Sequence, residues 1–266
     1  MSDQTPSVVR RPTPPQASGD GLPHPLGAWR APKVSQRVAM AIVEDIISRD
    51  LSPGDRLPPE AEMMERFQIS RASLREGLRL LETYGVITIR QGQRGGPEIG
   101  SLQPTDLARM LSLFYRLSGA TYRDVLQARL LIEPVMTRLA AEHQPREQIK
   151  ALHAVLDLED DTPADEYVHV ANNFHELVSG LSGNPVLDLL GHALRALYAE
   201  HVYARGLFPE ETLASCRKAH PLISEAIFSR NGELAEKLMA DHITEISRVV
   251  SRRAAWFMKE RVAWEV

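Results

Sequence analysis

From Val34 onward, apolar side chains recur at helical spacing. Ala39, Ile42, Val43, Ile46 and Ile47 fall on one face of a first helix. The turn-forming run Leu51-Ser52-Pro53-Gly54-Asp55 stops it. A second, short helix opens with Pro59 near its first position and carries Met63, Met64 and Phe67. Gln68-Ile69-Ser70 is a tight connection to a third helix over Arg71–Thr83. That helix faces Leu74, Leu78 and Leu81 inward and ends at Tyr84-Gly85. The period then changes. Val86-Ile87-Thr88-Ile89-Arg90 is a β-branched run suited to a strand, and Gln91 to Gly96 is a glycine-rich, basic hairpin tip. Pro97 to Ile99 is a short returning strand, which Pro97 is expected to confine to an edge.

Beyond Gly100 the apolar pattern is helical throughout. It predicts helices over Pro104–Leu117, Tyr122–His143, Pro145–Glu159, Ala164–Leu181, Pro185–Arg205, Pro209–Arg230 and Glu233 to about Lys259. Pro134, inside the second of these, is expected to kink it. The fold class expected is mainly α. An N-terminal winged helix-turn-helix of three helices plus a β-hairpin is followed by an all-α helical bundle. The corresponding division is a Pro-rich disordered tail over 1–33, the winged helix-turn-helix over 34–100 and a linker over 101–106. An all-helical effector-binding and dimerisation domain then covers 107–255, and a C-terminal extension covers 256–266.

Composition narrows the classes. With 43% hydrophobic and 25% charged residues, the 266-residue chain is ordinary for a soluble protein. No apolar run approaches a membrane span, and Met1-Ser2-Asp3-Gln4 lacks a signal-peptide pattern. The single cysteine, Cys216, has no intrachain partner, so a reducing cytoplasm is expected. The net charge of −4 argues against general DNA affinity, but the charge is unevenly placed. Between Ser70 and Gly96 stand Arg71, Arg75, Arg79, Arg90 and Arg94, opposed only by Glu76 and Glu82. That is a local basic footprint.

The run Leu57-Pro58-Pro59-Glu60, then Ser70-Arg71-Ala72-Ser73-Leu74-Arg75, then Gly85-Val86-Ile87, resembles the GntR family of bacterial transcription regulators. The resemblance implies double-stranded DNA as partner. It places contacts at Ser70, Arg71, Ala72 and Arg75 on the recognition helix and at Gln91 and Gly92 on the wing. The residue chemistry agrees. Ser70 caps the third helix. Arg71, Ala72, Ser73 and Arg75 then lie on the turn that enters a major groove. Arginine pairs bidentately with guanine, and the Ser70 and Ser73 hydroxyls suit phosphates. Gln91 and Gly92 let the backbone approach a minor groove, with Arg94 following the phosphates. Two positions depart from the family pattern: Ala61, where an arginine is common, and Ala72, where a hydroxyl residue is usual.

The C-terminal part is similar to the all-helical effector domain, the FCD domain, of the FadR subfamily. The matching segments are Arg129-Leu130-Leu131-Ile132-Glu133-Pro134, Phe174-His175, Ser182-Gly183-Asn184-Pro185, His220-Pro221-Leu222-Ile223 and Asp241-His242-Ile243. The resemblance implies a divalent metal of the zinc or nickel class held by His175, His220 and His242. The aspartate usual one turn before the first histidine is replaced by Ala171. Arg129 sits at the family's pocket-arginine position, suited to an effector carboxylate. The same spacing also allows an ion pair with Glu133. The regulator expected is a homodimer on a short palindromic operator, controlled by a small carboxylate effector. Two alternatives remain at this stage. One is a metal-dependent enzyme using the three histidines with Glu176 or Glu225 as base, for which no His-Glu-x-x-His motif is present. The other is a regulator with a metal-free pocket.

Overall fold

A computed structural model describes residues 32–92, 95–143, 146–163 and 167–264. Nearly all of the expected tail over 1–33 lies outside these residues; Pro32 and Lys33 are described, Lys33 as the cap of the first helix. Arg94 also lies outside them.

The N-terminal elements follow the apolar pattern. Helix α1 spans Val34–Ser48, α2 Glu60–Phe67 and α3 Arg71–Thr83. Val38, Ala39, Ile42, Leu57, Met63, Leu74, Leu78 and Leu81 bury together with Ile87 and Ile99 of the hairpin. Pro59 caps α2 from outside rather than forming its first residue, and Gln68 ends it in the left-handed conformation. Strand β1 (Ile87–Arg90) pairs antiparallel with β2 (Gly96–Ile99), Ile89 opposite Pro97.

The edge position expected for the Pro97 strand is not found. A second segment flanks β2: Leu57 N–H donates to Pro97 O (3.0 Å), and Ile99 N–H donates to Asp55 O (2.8 Å), about a bridge between Arg56 and Glu98. Pro97 offers no N–H to return the Leu57 bond, so this short ladder stops there. Proline thus limits the length of the pairing, not its side.

Asp45, an acidic residue on the apolar face of α1, is buried between two arginines. It accepts from Arg66 of α2 at 2.5 Å and from Arg49 at 3.3 Å. Burial pushes its carboxyl up, but these two guanidiniums outweigh that and hold it below the usual range. The Arg66 pair ties α2 to α1.

Gly77 marks the closest approach of α1 to α3. A Cβ there would lie 2.9 Å from Val38 Cγ1 and 3.2 Å from the Ser35 carbonyl. Gly77→Val is therefore expected to force the helices apart. Overpacking of this kind costs roughly 1–3 kcal/mol, more than the helix propensity gained by replacing glycine, about 0.5–1 kcal/mol. The check is a lower unfolding temperature; an unchanged one contradicts close α1–α3 packing.

The remaining helices are α4 (Pro104–Ser118), α5 (Tyr122–His143), α6 (Arg146–Asp161), α7 (Tyr167–Leu181), α8 (Pro185–Ala204), α9 (Glu210–Phe228) and α10 (Gly232–Arg253). They enclose a second core that runs from Ala108 to Val262. Helix α5 continues through Pro134 as one helix. Two expected boundaries change. The linker over 101–106 shortens, because Pro104 already opens α4 and Asp106 accepts from the Gln103 N–H at 2.9 Å. The final helix ends at Arg253, six residues early. The expected C-terminal extension over 256–266 is not peripheral: Phe257, Met258 and Val262 are buried in this core, and Phe257 stacks on Tyr122 at 4.3 Å between ring centroids. A single 3₁₀ turn carries Phe257 and Met258, which is too short to leave a helical period in the sequence. Among the described residues no helix is long and apolar enough to cross a membrane.

Candidate functional site

The first turn of α3 presents an exposed polar surface. Ser70 caps the helix, its hydroxyl accepting from the Ser73 N–H at 3.2 Å, with the two serine hydroxyls 3.1 Å apart. Arg71, Ala72 and Arg75 are exposed and Ser73 is half-buried, while Leu74 and Leu78 anchor the opposite face in the core. Arg75 Nε donates to Glu60 Oε2 at 3.3 Å. The glutamate of the Leu-Pro-x-Glu run therefore positions an arginine of the third helix, a link the spacing alone does not reveal. Gln91 and Gly92 are exposed at the hairpin tip, and Gly92 has a φ of 114°, which a side chain would strain.

The second constellation lies inside the helical bundle. His175 comes from α7, His220 from α9 and His242 from α10, and all three are buried. Their Nε2 atoms converge. His242 Nε2 is 3.2 Å from His220 Nε2 and 3.3 Å from His175 Nε2. Phe174 stacks on the His220 ring with centroids 4.0 Å apart, which fixes its plane.

The outer face of each ring determines what the inner face offers. His175 Nδ1 lies 2.9 Å from Glu133 Oε2, and His220 Nδ1 lies 2.7 Å from Glu159 Oε1. Burial pushes the Glu133 carboxyl up, but Arg129 and His175 together outweigh it and hold it well below the usual range. A carboxylate only accepts, so the proton on each of these imidazoles is on Nδ1 and the lone pair is on Nε2. Burial lowers His175 to about 3, against the pull of Glu133. Burial, then His220 and His175, hold His242 well below its ordinary value. His242 brings at most one proton to the cluster, and its own Nδ1 is buried without a partner. At least one buried lone pair is left facing its neighbours with nothing to accept from, an arrangement that a cation resolves. The spacing also fits: two nitrogens bound to one tetrahedral zinc at ~2.0–2.1 Å lie about 3.3–3.4 Å apart.

Among the described residues, Glu133 and Glu159 are the carboxylates that touch these histidines. Glu133 stands within a motif already singled out; Glu159 gives no local signal, since it reaches His220 from 61 positions away. Tyr167 donates to Glu159 at 2.8 Å and completes that arm. Neither carboxylate weighed as a catalytic base is placed for that role. Glu225 is exposed, and Glu176 is half-exposed and engaged with Arg195 at 3.3 Å. Ala171 is buried and offers no ligand atom. The neighbouring Asn172 lines the cavity, and its backbone carbonyl accepts from Arg195 at 2.6 Å.

Arg129 takes up the ion pair its spacing allows: Nε donates to Glu133 Oε1 at 2.5 Å. It also lines a narrow cavity of about 30 Å³, together with Tyr167, Ala171, Asn172, His175 and Cys216. That is space for a water or two. Burial pushes the Cys216 thiol up to about 12, so it is an apolar wall and not a nucleophile.

The two segments that carry these constellations each match a known family. Residues 34–95 match the profile of bacterial regulatory proteins of the gntR family, and residues 124–245 match the FCD domain. The chain is 27% identical over 223 residues to the HTH-type transcriptional repressor NanR of Salmonella newport (strain SL254), covering 81% of this chain and 84% of that one. The NanR of Salmonella typhimurium (strain LT2) matches at the same identity over 83% of its length. Among solved structures, a GntR of Streptococcus agalactiae superposes with a TM-score of 0.64 at 24% identity, covering 80% of this chain and 99% of the other, a likeness of fold.

Proposed function

This chain belongs to the GntR family, with an FCD domain behind its winged helix, and from that premise we propose how this DNA-binding transcription regulator reads its operator and senses its effector. It is not an enzyme; its relatives are regulators. The proposed reading surface is the first turn of α3 with the hairpin tip: Ser70, Arg71, Ala72, Ser73 and Arg75, then Gln91, Gly92 and Arg94. What carries this reading is the exposure of Arg71 and Arg75 on a turn capped by Ser70 and clamped to a buried apolar face. Ala72 between them leaves room for the helix to approach base edges closely.

The test is a gel shift with DNA from the intergenic region beside the gene. Arg71→Ala and Arg75→Ala are each expected to weaken binding about 5–150-fold, the range of one specific base contact. Arg109→Ala, on exposed α4, serves as control. Equal affinity in both recognition-helix variants and wild type overturns the assignment.

Repression relieved by a small carboxylate is proposed as the response, following the repressor names of the relatives. A divalent metal of the zinc or nickel class is proposed at His175, His220 and His242. Supporting it are the three converging nitrogens and the carboxylates that fix two of their tautomers. When bound, the metal supplies an open coordination position to an anionic ligand. Arg129 would stand at one wall of the same cavity. Because that cavity holds little more than water, effector entry must part α7 from α9 and α10. This displacement is the differential that shifts the DNA-binding state.

A homodimer is proposed as the active species, since two winged helices on a two-fold axis read a palindrome. Met110, Phe114 and Leu117 support it: they form an exposed apolar stripe along α4, with Leu117 77% exposed. A reducing cytoplasm is the proposed location.

A further inference from the structure

We infer that Arg217 of α9 is a positioning residue for the proposed metal site: it clamps the end of α6 so that Glu159 stays on His220 and keeps that ring oriented toward a divalent cation. The inference rests on the metal proposed at His175, His220 and His242 and extends it to a residue outside the trio.

Glu159 orients His220 from a weak position in its own helix. It is 2% exposed, yet it stands in the last turn of α6, which ends at Asp161. The last carbonyls of a helix have no partner within it, and such a turn frays unless something else binds them. Glu133, which orients His175, lies in the middle of α5 and has its backbone fixed by the helix itself.

Arg217 supplies the missing partner. Its Nη1 donates to the Glu159 carbonyl, and its Nη2 donates to the Thr162 carbonyl at 2.5 Å. An arginine at a helix C-terminus satisfies unpaired carbonyls and suits the negative end of the helix dipole. Here the arginine comes from the helix that also carries the ligand. Arg217 and His220 stand three residues apart on α9, neighbours on its surface. Glu159 is therefore held to α9 at two points: its carboxylate at His220 Nδ1, 2.7 Å away, and its backbone at Arg217. One contact would let the carboxylate swing; two fix the end of α6 in register against α9. A cap local to α6 exists as well, since the Thr162 hydroxyl donates to the Leu158 carbonyl at 2.5 Å, but it ties α6 only to itself.

Tyr167 fills the space between the two points. The Arg217 guanidinium lies over its ring, 4.1 Å from the centroid, and its hydroxyl donates to Glu159 Oε2 at 2.8 Å. Burial and the Glu159 charge push the tyrosine pKa far up, so the hydroxyl keeps its proton and remains a donor.

The experiment is a competition titration of the full chain with zinc against a coloured chelator, alongside thermal unfolding of the metal-free proteins. Arg217→Met is expected to weaken zinc binding about tenfold, the lower end of the effect of losing a group that orients a histidine ligand. Arg217→Lys keeps a cationic donor without the planar fork and should recover part of the loss. Tyr167→Phe keeps the ring under the guanidinium and removes the hydroxyl; it too should weaken zinc binding about tenfold. Glu159→Gln no longer fixes the His220 tautomer, because an amide both donates and accepts. In that background Arg217→Met should cost no further zinc affinity, although it still lowers the metal-free melting temperature through the lost cap. Wild-type zinc affinity in Arg217→Met overturns the inference and leaves the metal site standing. Fully additive losses of affinity in the double variant also overturn it, because Arg217 would then act other than through Glu159. Should Arg217→Met not fold, Arg217→Lys carries both comparisons. If wild type binds no zinc, the metal reading fails, and this inference with it.

Discussion

Chelation should lower the melting temperature of the wild-type helical domain and leave that of His220→Ala unchanged. The expectation follows from three buried imidazoles whose ligand atoms lie within 4.8 Å of one another, His242 Nε2 being 3.2 and 3.3 Å from the other two Nε2 atoms. Two of those nitrogens have their lone pairs aimed inward by carboxylates on the far side of each ring. A metal that binds only the folded state at a hundred times its dissociation constant adds about 2.7 kcal/mol. At roughly 2–4 °C per kcal/mol for a domain of this size, chelation should remove about 5–11 °C. His220→Ala takes away one of three proposed ligands and the stacking partner of Phe174. It should therefore start lower than wild type and no longer respond to a chelator. Metal content of freshly purified protein, measured by mass spectrometry, completes the comparison. Wild-type protein with neither bound metal nor a response to added zinc or nickel would return the histidines to a metal-free pocket lining.

How far the sequence anticipates this site depends on the range of the interaction. The winged helix is legible because its signals are local. Leu74, Leu78 and Leu81 repeat at helical spacing, Ser70 precedes the first turn, and α3 spans Arg71–Thr83 as the pattern predicts. His175, His220 and His242 are legible as a trio through their order in family-like segments, and the structure brings all three together. What surrounds them is not. Glu159 resembles any carboxylate at the polar end of a helix until the fold carries it 61 positions across to His220. Arg195 sits within the apolar run of α8, where a single charged residue reads as the solvent face; packing of α7 against α8 buries it instead. Asp45 follows the same rule in part: Arg49 is a local partner, but Arg66, its closer one, comes from 21 residues on. The Pro97 strand reads as an edge because a three-residue segment at Asp55–Leu57 carries no strand period of its own, yet it suffices to pair with β2.

Glu133→Leu is expected to cause the largest loss of stability of any single change in the bundle, and the loss should be recovered mainly by a second change at Arg129. Glu133 is fully buried and serves two partners: Oε1 accepts from Arg129 Nε at 2.5 Å, and Oε2 faces His175 Nδ1 at 2.9 Å. Removing it takes the ion-pair partner from a buried Arg129, whose guanidinium lies 5.2 Å from the Tyr198 ring. Breaking one side of a buried pair typically costs about 3–5 kcal/mol, whereas replacing both partners by apolar groups is often neutral. Glu133→Leu should therefore melt roughly 6–20 °C lower. With both proteins freed of metal by a chelator, Arg129→Met with Glu133→Leu should melt close to wild type, giving a large coupling energy in the double-mutant cycle. Metal affinity should behave differently. Loss of the group that orients a histidine ligand weakens metal binding about 10–100-fold. The double variant lacks that group as well, so it should recover stability without recovering affinity. The two readouts separate because Glu133 compensates a charge through one oxygen and orients His175 through the other. Recovery of both together would mean that His175 is held by packing alone; recovery of neither would mean that the Arg129–Glu133 pair is not the source of the loss.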